Sequence, residues 1–480
     1  MKTSLIANAI FNLFYTLSSV IFPVAIMAYI SRILLPDGIG VISYAQNLSY
    51  YFVILSTVGF SYYGIKQIAK VKDDTEETNR VFSEIFLLSV IFSVFSSILY
   101  IVLIASVSSL KNEFTLYLMY GIQIFLGFTN IDWFYKGKED FVYITVRSFI
   151  LRIITLVFIF TMVKTKDDYL VFAFLMSFGM ISNHIVNIFY LKKYIKFVIK
   201  GLNIKRHVNI VFYWSLLGLL SCIYNNIDIT ILGFFGTNHD IGIYSNSIKL
   251  INSLVSICTA ISAVLLPRLS YVFKHDRKQL NDILDNAFSV ICFIVFPAVI
   301  LLIVLSNSIV DIFFGVDFYE VATLVKFLSV IVFIKVFGDL FCFQLLIASN
   351  NEKKRLPINL WGVIINIILN IVLIPFFSYY GSILALLITE LLVNIYLFVI
   401  VYKKVRFKIN YFFPLSIGIL GSVILCITSL FLESYDVSIF FNTIFSISVY
   451  VIFNFLVKNP IIDKFLDIFH KKYRIFFFKR

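Results

Sequence analysis

The sequence predicts an all-α integral membrane protein of about 14 transmembrane helices, built as two six-helix bundles plus two C-terminal helices. Three observations predict this class: an apolar composition, a chain-long series of helix-length apolar segments, and basic residues concentrated in alternate loops. A weak internal repeat then divides the first twelve helices into two sets of six, as in transporters built from parallel repeats.

The composition excludes a water-soluble protein of this size. Hydrophobic residues make up 60% of the 480 residues and charged residues only 14%, against roughly 45–50% and about 25% in soluble domains. The net charge of +13 raises nucleic-acid binding as an alternative. The five cysteines all fall within apolar segments, and their number and wide spacing favour neither a disulfide framework nor a zinc site.

Apolar segments of helix length follow one another along the chain, and about 20 such residues cross a bilayer. The first is too long for a signal peptide, so we expect the chain to begin with its first span. The eleventh and twelfth are the least clearly separated, since only the turn between Pro375 and Gly381 divides them. The predicted spans lie near 5–31, 38–64, 82–107, 114–136, 141–163, 169–191, 209–235, 241–267, 284–305, 320–349, 356–378, 380–402, 412–432 and 438–457.

Lys and Arg residues predict the orientation of these spans. If the N-terminus is cytoplasmic, 31 of the 40 basic residues lie in cytoplasmic segments, and only Arg32, Lys111, Lys164 and Lys166 lie outside. This asymmetry follows the positive-inside rule and predicts that both termini are cytoplasmic. It also explains the basic composition by anionic lipid headgroups, without nucleic acid as a partner.

Comparison of the chain with itself at an offset of 202 residues indicates an internal repeat. In both halves a helix runs outward, turns at a Gly-containing segment and returns. The repeat predicts a first bundle at 1–200, a second at 201–408, and two additional helices with a cytoplasmic basic tail at 409–480. Nine identities fall between positions 17 and 66: Leu17/Leu219, Ser19/Ser221, Ile21/Ile223, Ile39/Ile241, Gly40/Gly242, Ser43/Ser245, Leu48/Leu250, Val53/Val255 and Thr57/Thr259.

Two segments of the first half resemble polysaccharide repeat-unit flippases of the Wzx class, in the multidrug/oligosaccharidyl-lipid/polysaccharide (MOP) exporter superfamily. The segment 59–69 (GFSYYGIKQIA) resembles the end of that class's second helix. The segment 132–141 (DWFYKGKEDF), with Tyr143, Ile144 and Arg147, resembles its junction between helices four and five. Lys136 departs from the pattern, which more often has glutamine there. The likeness covers most of the first six spans and, more loosely, the second six.

The resemblance implies two six-helix bundles around a central cavity that opens alternately to each side of the membrane. The implied substrate is a short oligosaccharide on undecaprenyl pyrophosphate, flipped from the inner to the outer leaflet of a bacterial cytoplasmic membrane. Membrane lipids, and polymerase and chain-length proteins of the same pathway, are the implied partners.

Ionisable residues within spans are the main candidates for substrate and coupling sites, because charge at membrane depth is costly. A pyrophosphate needs fixed cations, and an Arg side chain can bind two of its oxygens. The candidate cations are Arg147, Arg152, Lys249 and Lys335. The candidate coupling or cavity acids are Glu390, Asp339, Asp228 and Asp132. Glu390 is the first choice for coupling, since it is mid-span and has no evident partner on its own helix.

Structural roles compete with these functional ones. Arg147 is close enough to the cytoplasmic surface to snorkel, and Asp132 would pair with it across a short loop. Lys335 and Asp339, four residues apart, would neutralise each other. Asp228, near the outer end of its span, is as well explained by a solvated helix end.

Polar residues recur at helical spacing in two spans. Asn8 and Asn12, and Asn366 and Asn370, form i, i+4 pairs. Such pairs line a sugar-binding cavity or, more commonly, hydrogen-bond between helices. The sequence has no Gly-rich phosphate loop, catalytic triad or metal-ligand cluster, so we expect neither an enzyme nor a cofactor or metal.

Three alternative functions stay open. A multidrug or cation antiporter on the same fold would need an acidic cavity, whereas the candidates here are at least equally basic. A membrane polysaccharide polymerase would need a sizeable outer loop, and the predicted outer loops are short. A flippase for the peptidoglycan precursor would be essential under all conditions. Without a nucleotide site, transport would draw on an ion gradient or on the substrate's own concentration difference.

Overall fold

The computed structural model describes residues 5–349, 351, 354–405, 407–435 and 437–460. The predicted basic tail at 461–480 and the side chains of Asn8 and Asn12 lie outside this description.

The described chain is helical, with no strand among the residues given above. Short 3₁₀ turns lie at Gly127–Thr129, Lys166–Asp168 and Val316–Phe318, and a π-helical segment lies at Asp339–Gln344. The α-helices are α1 (Leu5–Val71), α2 (Thr75–Ser106), α3 (Ser108–Lys111), α4 (Phe114–Phe125), α5 (Asp132–Gly137), α6 (Phe141–Met162), α7 (Tyr169–Leu191), α8 (Lys205–Phe235), α9 (Asn238–His275), α10 (Arg277–Val304), α11 (Ser306–Phe313), α12 (Tyr319–Gly338), α13 (Leu345–Ala348), α14 (Arg355–Phe377), α15 (Tyr379–Val405), α16 (Phe412–Ser434) and α17 (Ile439–Leu456).

These helices confirm the predicted class of membrane protein. Among the described residues, 11 helices are long and apolar enough to cross a membrane, or 12 if the bent pair α4 and α5 counts as one span. The long helix α1 contains two predicted spans, because Leu35 breaks it with φ 59° and ψ 174° just before Pro36. The eighth predicted span falls within α9. Helices therefore occupy all fourteen predicted segments.

The weakest predicted boundary, between the eleventh and twelfth spans, is a one-residue turn. Ser378 separates α14 from α15 and has a positive φ of 47°. Gly381 then packs against the preceding helix so closely that a Cβ there would lie 2.6 Å from the carbonyl group of Leu373. Glycine is therefore required for this tight reversal.

Contacts divide the chain into two compact units. Unit 1 comprises Met1–Ser245 and Val363–Ser382, and unit 2 comprises Asn246–Gly362 and Ile383–Arg480. The domain boundaries placed from the sequence at 200/201 and 408/409 stay predictions.

Within unit 1, α1 beyond Leu35 and the start of α9 make matched contacts at the offset of the sequence repeat. Gly40 and Gly242 each face a backbone carbonyl oxygen of the other helix's N-terminal region, where a Cβ would lie only 1.8 and 2.0 Å away. Three residues further along each helix, the hydroxyls of Ser43 and Ser245 hydrogen-bond at 3.0 Å, across a separation of 202 residues. Two pairs of the sequence repeat therefore meet in space.

A second matched feature concerns the irregular segment after α7, residues 192–204, which we call strap 1. Strap 1 lies against the first two turns of α2. The backbone N–H of Lys196 donates to Asn79 Oδ1 at 3.0 Å, and that of Val198 donates to Ser83 Oγ at 3.0 Å. Two acceptors four residues apart on one helix therefore fix two donors two residues apart on the strap.

Unit 2 repeats this pattern at residues 407–411, between α15 and α16, which we call strap 2. The backbone N–H of Lys408 donates to Asn281 Oδ1 at 3.1 Å, and that of Asn410 donates to Asp285 Oδ1 at 2.7 Å. Both acceptors lie on α10, and each is 202 residues beyond its counterpart on α2. The spacing of donors and acceptors in strap 1 and strap 2 is the same, which supports a parallel repeat.

Candidate functional site

The predicted cation Arg147 is buried in a cluster of polar side chains. Arg147 projects from α6, which begins after Asp140, and its Nη2 lies 3.1 Å from Asp132 Oδ1 at the start of α5. Its Nη1 donates to Asn187 Oδ1 on α7, and Asn187 Nδ2 donates to the same Asp132 oxygen at 2.6 Å. The pairing considered from the sequence is therefore present. It joins three helices and satisfies most of the Arg147 guanidinium.

Arg152 and Lys249 occupy different surroundings. Arg152, five residues further along α6, is half-buried and donates through Nη1 to Ser18 Oγ on α1 at 2.5 Å. Lys249 lies on α9 within unit 2, and its residue is exposed. Two of the candidate cations, Arg147 and Arg152, therefore lie in unit 1, and the other two, Lys249 and Lys335, lie in unit 2.

In unit 2, Lys335 pairs with Glu390. Lys335 Nζ on α12 lies 3.5 Å from Glu390 Oε1 on α15 and 3.4 Å from Asn252 Oδ1 on α9. Asn394 Nδ2, one turn along α15, donates to Glu390 Oε2 at 3.2 Å. The expectation that Glu390 lacks a partner on its own helix is therefore wrong, because an amide four residues away reaches it.

The neutralising pair of Lys335 with Asp339 is also wrong. Asp339 begins the π-helical segment Asp339–Gln344, in which residue i lies above residue i+5. Its Oδ2 accepts from Gln344 Nε2 at 3.2 Å, five residues on. The wider helical turn therefore gives Asp339 a neighbour that α-helical spacing does not predict.

Asp228 is buried, so the expectation of a solvated helix end is wrong. Only 2% of the residue is exposed. Tyr244 Oη on α9 donates to Oδ2 at 2.9 Å, and Asn370 Nδ2 on α14 donates to Oδ1 at 2.6 Å. Asn370 therefore hydrogen-bonds between α14 and α8, as the interhelical alternative for this amide pair predicts, and it also donates to Asn366 Oδ1 on its own helix at 3.1 Å. Asn370 Oδ1 has no hydrogen-bond partner among the described residues.

A cavity of about 540 Å³ lies between α1 and α8 within unit 1. The two helices approach closely at Gly59 and Gly218, beside the cavity. Its lining combines aromatic rings with amides, hydroxyls and one cation, the groups that stack on and hydrogen-bond to a sugar ring. The polar and aromatic lining residues are Tyr50, Ser61, Tyr62, Lys136, Ser221, Asn225 and Asn226.

Sequence reasoning missed a buried carboxylate, Glu84, on α2. Its Oε2 accepts from Arg206 Nη2 at 2.6 Å and lies 2.7 Å from His207 Nε2, while Oε1 accepts from the backbone N–H of Asn203 at 2.7 Å. Tyr63 Oη lies 2.6 Å from His207 Nδ1 and extends the network to α1. The sequence did offer a signal, since Glu84 is a carboxylate within an apolar segment. It was overlooked because Glu84 lies near the start of the predicted span 82–107, where a charged residue is common.

Two protein-family models match the chain. The model described as polysaccharide biosynthesis protein matches residues 5–273, and the model described as lipid II flippase MurJ matches residues 145–453. Each match covers more than half of the chain. A putative O-antigen transporter of Escherichia coli (strain K12) is 20% identical over 399 residues, which are 82% of this chain and 95% of that protein.

Solved structures share the fold. A lipid II flippase MurJ in an inward closed conformation superposes with a TM-score of 0.67 at 18% identity, covering 92% of this chain and 99% of that one. An inward-facing multidrug resistance MATE family transporter of the MOP superfamily gives a TM-score of 0.56 at 15% identity, covering 80% and 94%. The described helices therefore form an all-α transporter fold like those of MurJ and MATE proteins.

Proposed function

We infer that this chain, which belongs to the polysaccharide biosynthesis protein family and is a Wzx-like member of the MOP exporter superfamily, is a flippase for a lipid-linked glycan. The proposed substrate is an oligosaccharide repeat unit on undecaprenyl pyrophosphate. The proposed movement is from the inner to the outer leaflet of a bacterial cytoplasmic membrane, with both termini cytoplasmic. Alternating access of the bundles would carry the headgroup across.

The cavity between α1 and α8 supports the glycan part of this proposal. Tyr50 and Tyr62 line the cavity with aromatic rings, one face of Tyr62 being stacked on Trp214, and the amides of Asn225 and Asn226 offer donors and acceptors for sugar hydroxyls. Lys136, at the position where the family pattern more often has glutamine, also lines this cavity. A lysine in the lining suits an anionic lipid headgroup better than a cationic drug, which favours the flippase over a multidrug antiporter.

For the pyrophosphate we propose Arg152 as the contact that unit 1 supplies during transport, and Lys249 stays the candidate of unit 2. Arg152 is half-buried on a membrane helix, where a cation is retained for a partner or a ligand. Arg147 pairs with Asp132 and Lys335 pairs with Glu390, so we propose that each cation positions helices within its own unit.

For coupling we propose Asp228 ahead of Glu390. The carboxylate of Asp228 is buried among the hydroxyl of Tyr244 and the amide of Asn370, whereas Glu390 lies next to the cation of Lys335. A buried carboxylate on a membrane helix can take up a proton or monovalent cation and release it when the bundles move. Replacing Asp228 by Asn should remove the dependence of transport on the ion gradient, measured in vesicles with and without an imposed gradient.

The contact of Ser43 with Ser245 offers a test of alternating access. Their hydroxyls are 3.0 Å apart, so cysteines at both positions are close enough for a disulfide. Oxidation of the Ser43→Cys/Ser245→Cys double variant should stop flipping, and reduction should restore it. Each single variant, treated with the same oxidant, is the control. Unchanged flipping in the oxidised double variant would contradict movement at this contact.

The function itself is tested in cells that lack this protein but retain the glycosyltransferases of the pathway. Undecaprenyl-pyrophosphate-linked units should accumulate and stay inaccessible to an impermeant outside label. The wild type should restore labelling and Arg152→Ala should not, while Lys166→Ala, a loop cation, serves as the matched control. Units that are labelled normally without the protein but never lengthen would overturn the flippase proposal in favour of the polymerase.

A further inference from the structure

Unit 2 contains an apolar groove of about 790 Å³ between α10, α12, α15 and strap 2. This volume lies within the range of roughly 300–1,000 Å³ that ligand pockets occupy. Its lining is almost entirely apolar, with Asn394 and Lys408 as the polar members. The aromatic walls are Phe288, Phe337, Phe341, Phe398, Tyr402 and Phe407.

The π-helical segment shapes one wall of this groove. Phe341 and Cys342, both within Asp339–Gln344, line it, and π-helical turns occur frequently at functional sites. Gly338, just before the segment, lies against α15 so closely that a Cβ would be 1.9 Å from Asn394 Oδ1. The wall therefore depends on a glycine and on a rare helical geometry, neither of which an ordinary packing face requires.

The corresponding place in unit 1 is filled by side chains. Phe86, which is 202 residues before Phe288, packs against Phe197 on strap 1, with the two ring centroids 5.3 Å apart. The neighbouring Phe82 stacks on Trp133 at 5.3 Å and contacts Phe134 at 5.2 Å. On strap 2 the residue between the two pinned amides is Ile409, where strap 1 has Phe197. Unit 2 therefore keeps open a space that unit 1 packs with aromatic rings.

Basic residues lie on strap 2 and in the helix turn just before it. Lys408 lines the groove and is exposed, and Lys403 and Lys404 are exposed in the last turn of α15. Ile395 is 53% exposed and Tyr411 64%, so the rim presents apolar surface as well as charge. An apolar slot with cations at one end fits an apolar chain that carries an anionic head.

We propose that this groove binds the isoprenoid chain of the lipid carrier, with Lys408 beside its phosphate. This inference rests on the proposed function, because the carrier is the lipid that the flippase would move. A methyl-branched isoprenoid chain is bulkier than a linear acyl chain and places its methyl groups against ring faces on several sides. The groove would thereby hold part of the chain in unit 2 while the glycan occupies a polar cavity.

The test uses the full-length protein in nanodiscs of phosphatidylethanolamine and phosphatidylglycerol, with a benzophenone-bearing undecaprenyl phosphate as the probe. Photolabelled peptides should map to residues 391–411, and unlabelled undecaprenyl phosphate should compete. The variant Ile395→Trp fills the groove from α15. Leu392→Trp is the matched control, since Leu392 is 46% exposed on the same helix and lies outside the groove lining.

Ile395→Trp should lower probe labelling by about tenfold, a factor typical of a changed apolar fit in a binding pocket, while Leu392→Trp labels like the wild type. Equal labelling of the two variants, or competition by excess phosphatidylglycerol as effective as that by undecaprenyl phosphate, would overturn the groove assignment. Labelling that behaves as expected in a protein that does not flip the glycan carrier in cells would instead overturn the proposed function and leave the lipid site standing.

Discussion

Strap 1 and strap 2 are held in the same way but cover different interiors. Each strap donates two backbone N–H groups to an i, i+4 pair of acceptors on a helix of its own unit. Beneath strap 1 lies a packed aromatic core, and beneath strap 2 lies an open groove of about 790 Å³. The pinning pattern therefore belongs to the repeated architecture, while the space that each strap covers has diverged.

The charged residues next to the two straps also differ. The buried carboxylate of Glu84 holds the end of strap 1. It accepts a hydrogen bond from the backbone of Asn203 on the strap and contacts the side chains of Arg206 and His207 just after it. Strap 2 instead carries Lys408 at the rim of its groove. A satisfied buried network makes a segment rigid and specific, whereas an exposed cation beside an apolar slot is suited to ligands. We therefore regard the region beneath strap 1 as scaffold and propose the groove beneath strap 2 as a binding site.

The largest loss of stability is expected when a side chain is removed from the aromatic core of unit 1. Trp133→Ala should destabilise the protein by about 3–5 kcal/mol, the usual cost of a large cavity in a core, because Trp133 is 2% exposed and packs on Gly64 and Phe82. Phe398→Ala, at the groove of unit 2, is the matched variant. It should cost less, since Phe398 is 41% exposed and borders existing space. Thermal unfolding in detergent measures both, and equal losses of stability would contradict the contrast.

The sequence was sufficient for the fold class because membrane insertion leaves strong local signals. Apolar length, basic loops and the 202-residue offset depend on composition and position along the chain, and the helices follow them. The break at Leu35, just before Pro36, falls in the interval between the predicted spans 5–31 and 38–64, so the sequence located it as well.

The site was less predictable because its contacts join residues distant in sequence. The pair of Asp132 and Arg147 could be anticipated, since a short loop separates them. The pair of Lys335 and Glu390 could not, because its partners lie on α12 and α15, and the π-helical turn redirects Asp339. The groove is an unfilled space, which no residue pattern predicts.

The second effect concerns the carboxylate that closes strap 1. Glu84→Gln should destabilise unit 1 by about 1–3 kcal/mol, because Arg206 and His207 lose a charged acceptor in a buried place. Glu139→Gln is the control, since Glu139 makes an exposed ion pair with Lys72, and exposed pairs contribute little to stability. Similar melting temperatures for the two variants would show that the network does not hold strap 1.

A third, smaller effect isolates the pinning pattern itself. Ser83→Ala and Asp285→Ala each remove one acceptor from one strap and should cost about 0.5–1.5 kcal/mol, the usual net value of a hydrogen bond. Hydrogen exchange should accelerate at Val198 in the first variant and at Asn410 in the second, because these amides lose their acceptors. Acceleration that spreads to both straps in either variant would contradict independent pinning.

The smallest change in stability is expected from making strap 2 resemble strap 1. Ile409→Phe places a ring where strap 1 has Phe197 and partly fills the groove. If the groove were an empty cavity with no ligand, the added apolar contact of the Phe ring would stabilise the protein by about 1 kcal/mol, and transport would continue. If the groove holds the lipid carrier's chain, unfolding should change little while probe labelling and flipping fall together. Ile452→Phe, on the exposed face of α17, controls for added apolar surface. A loss of labelling and flipping without a gain in stability would therefore support a binding site in the open space under strap 2. A gain in stability with unchanged transport would contradict it.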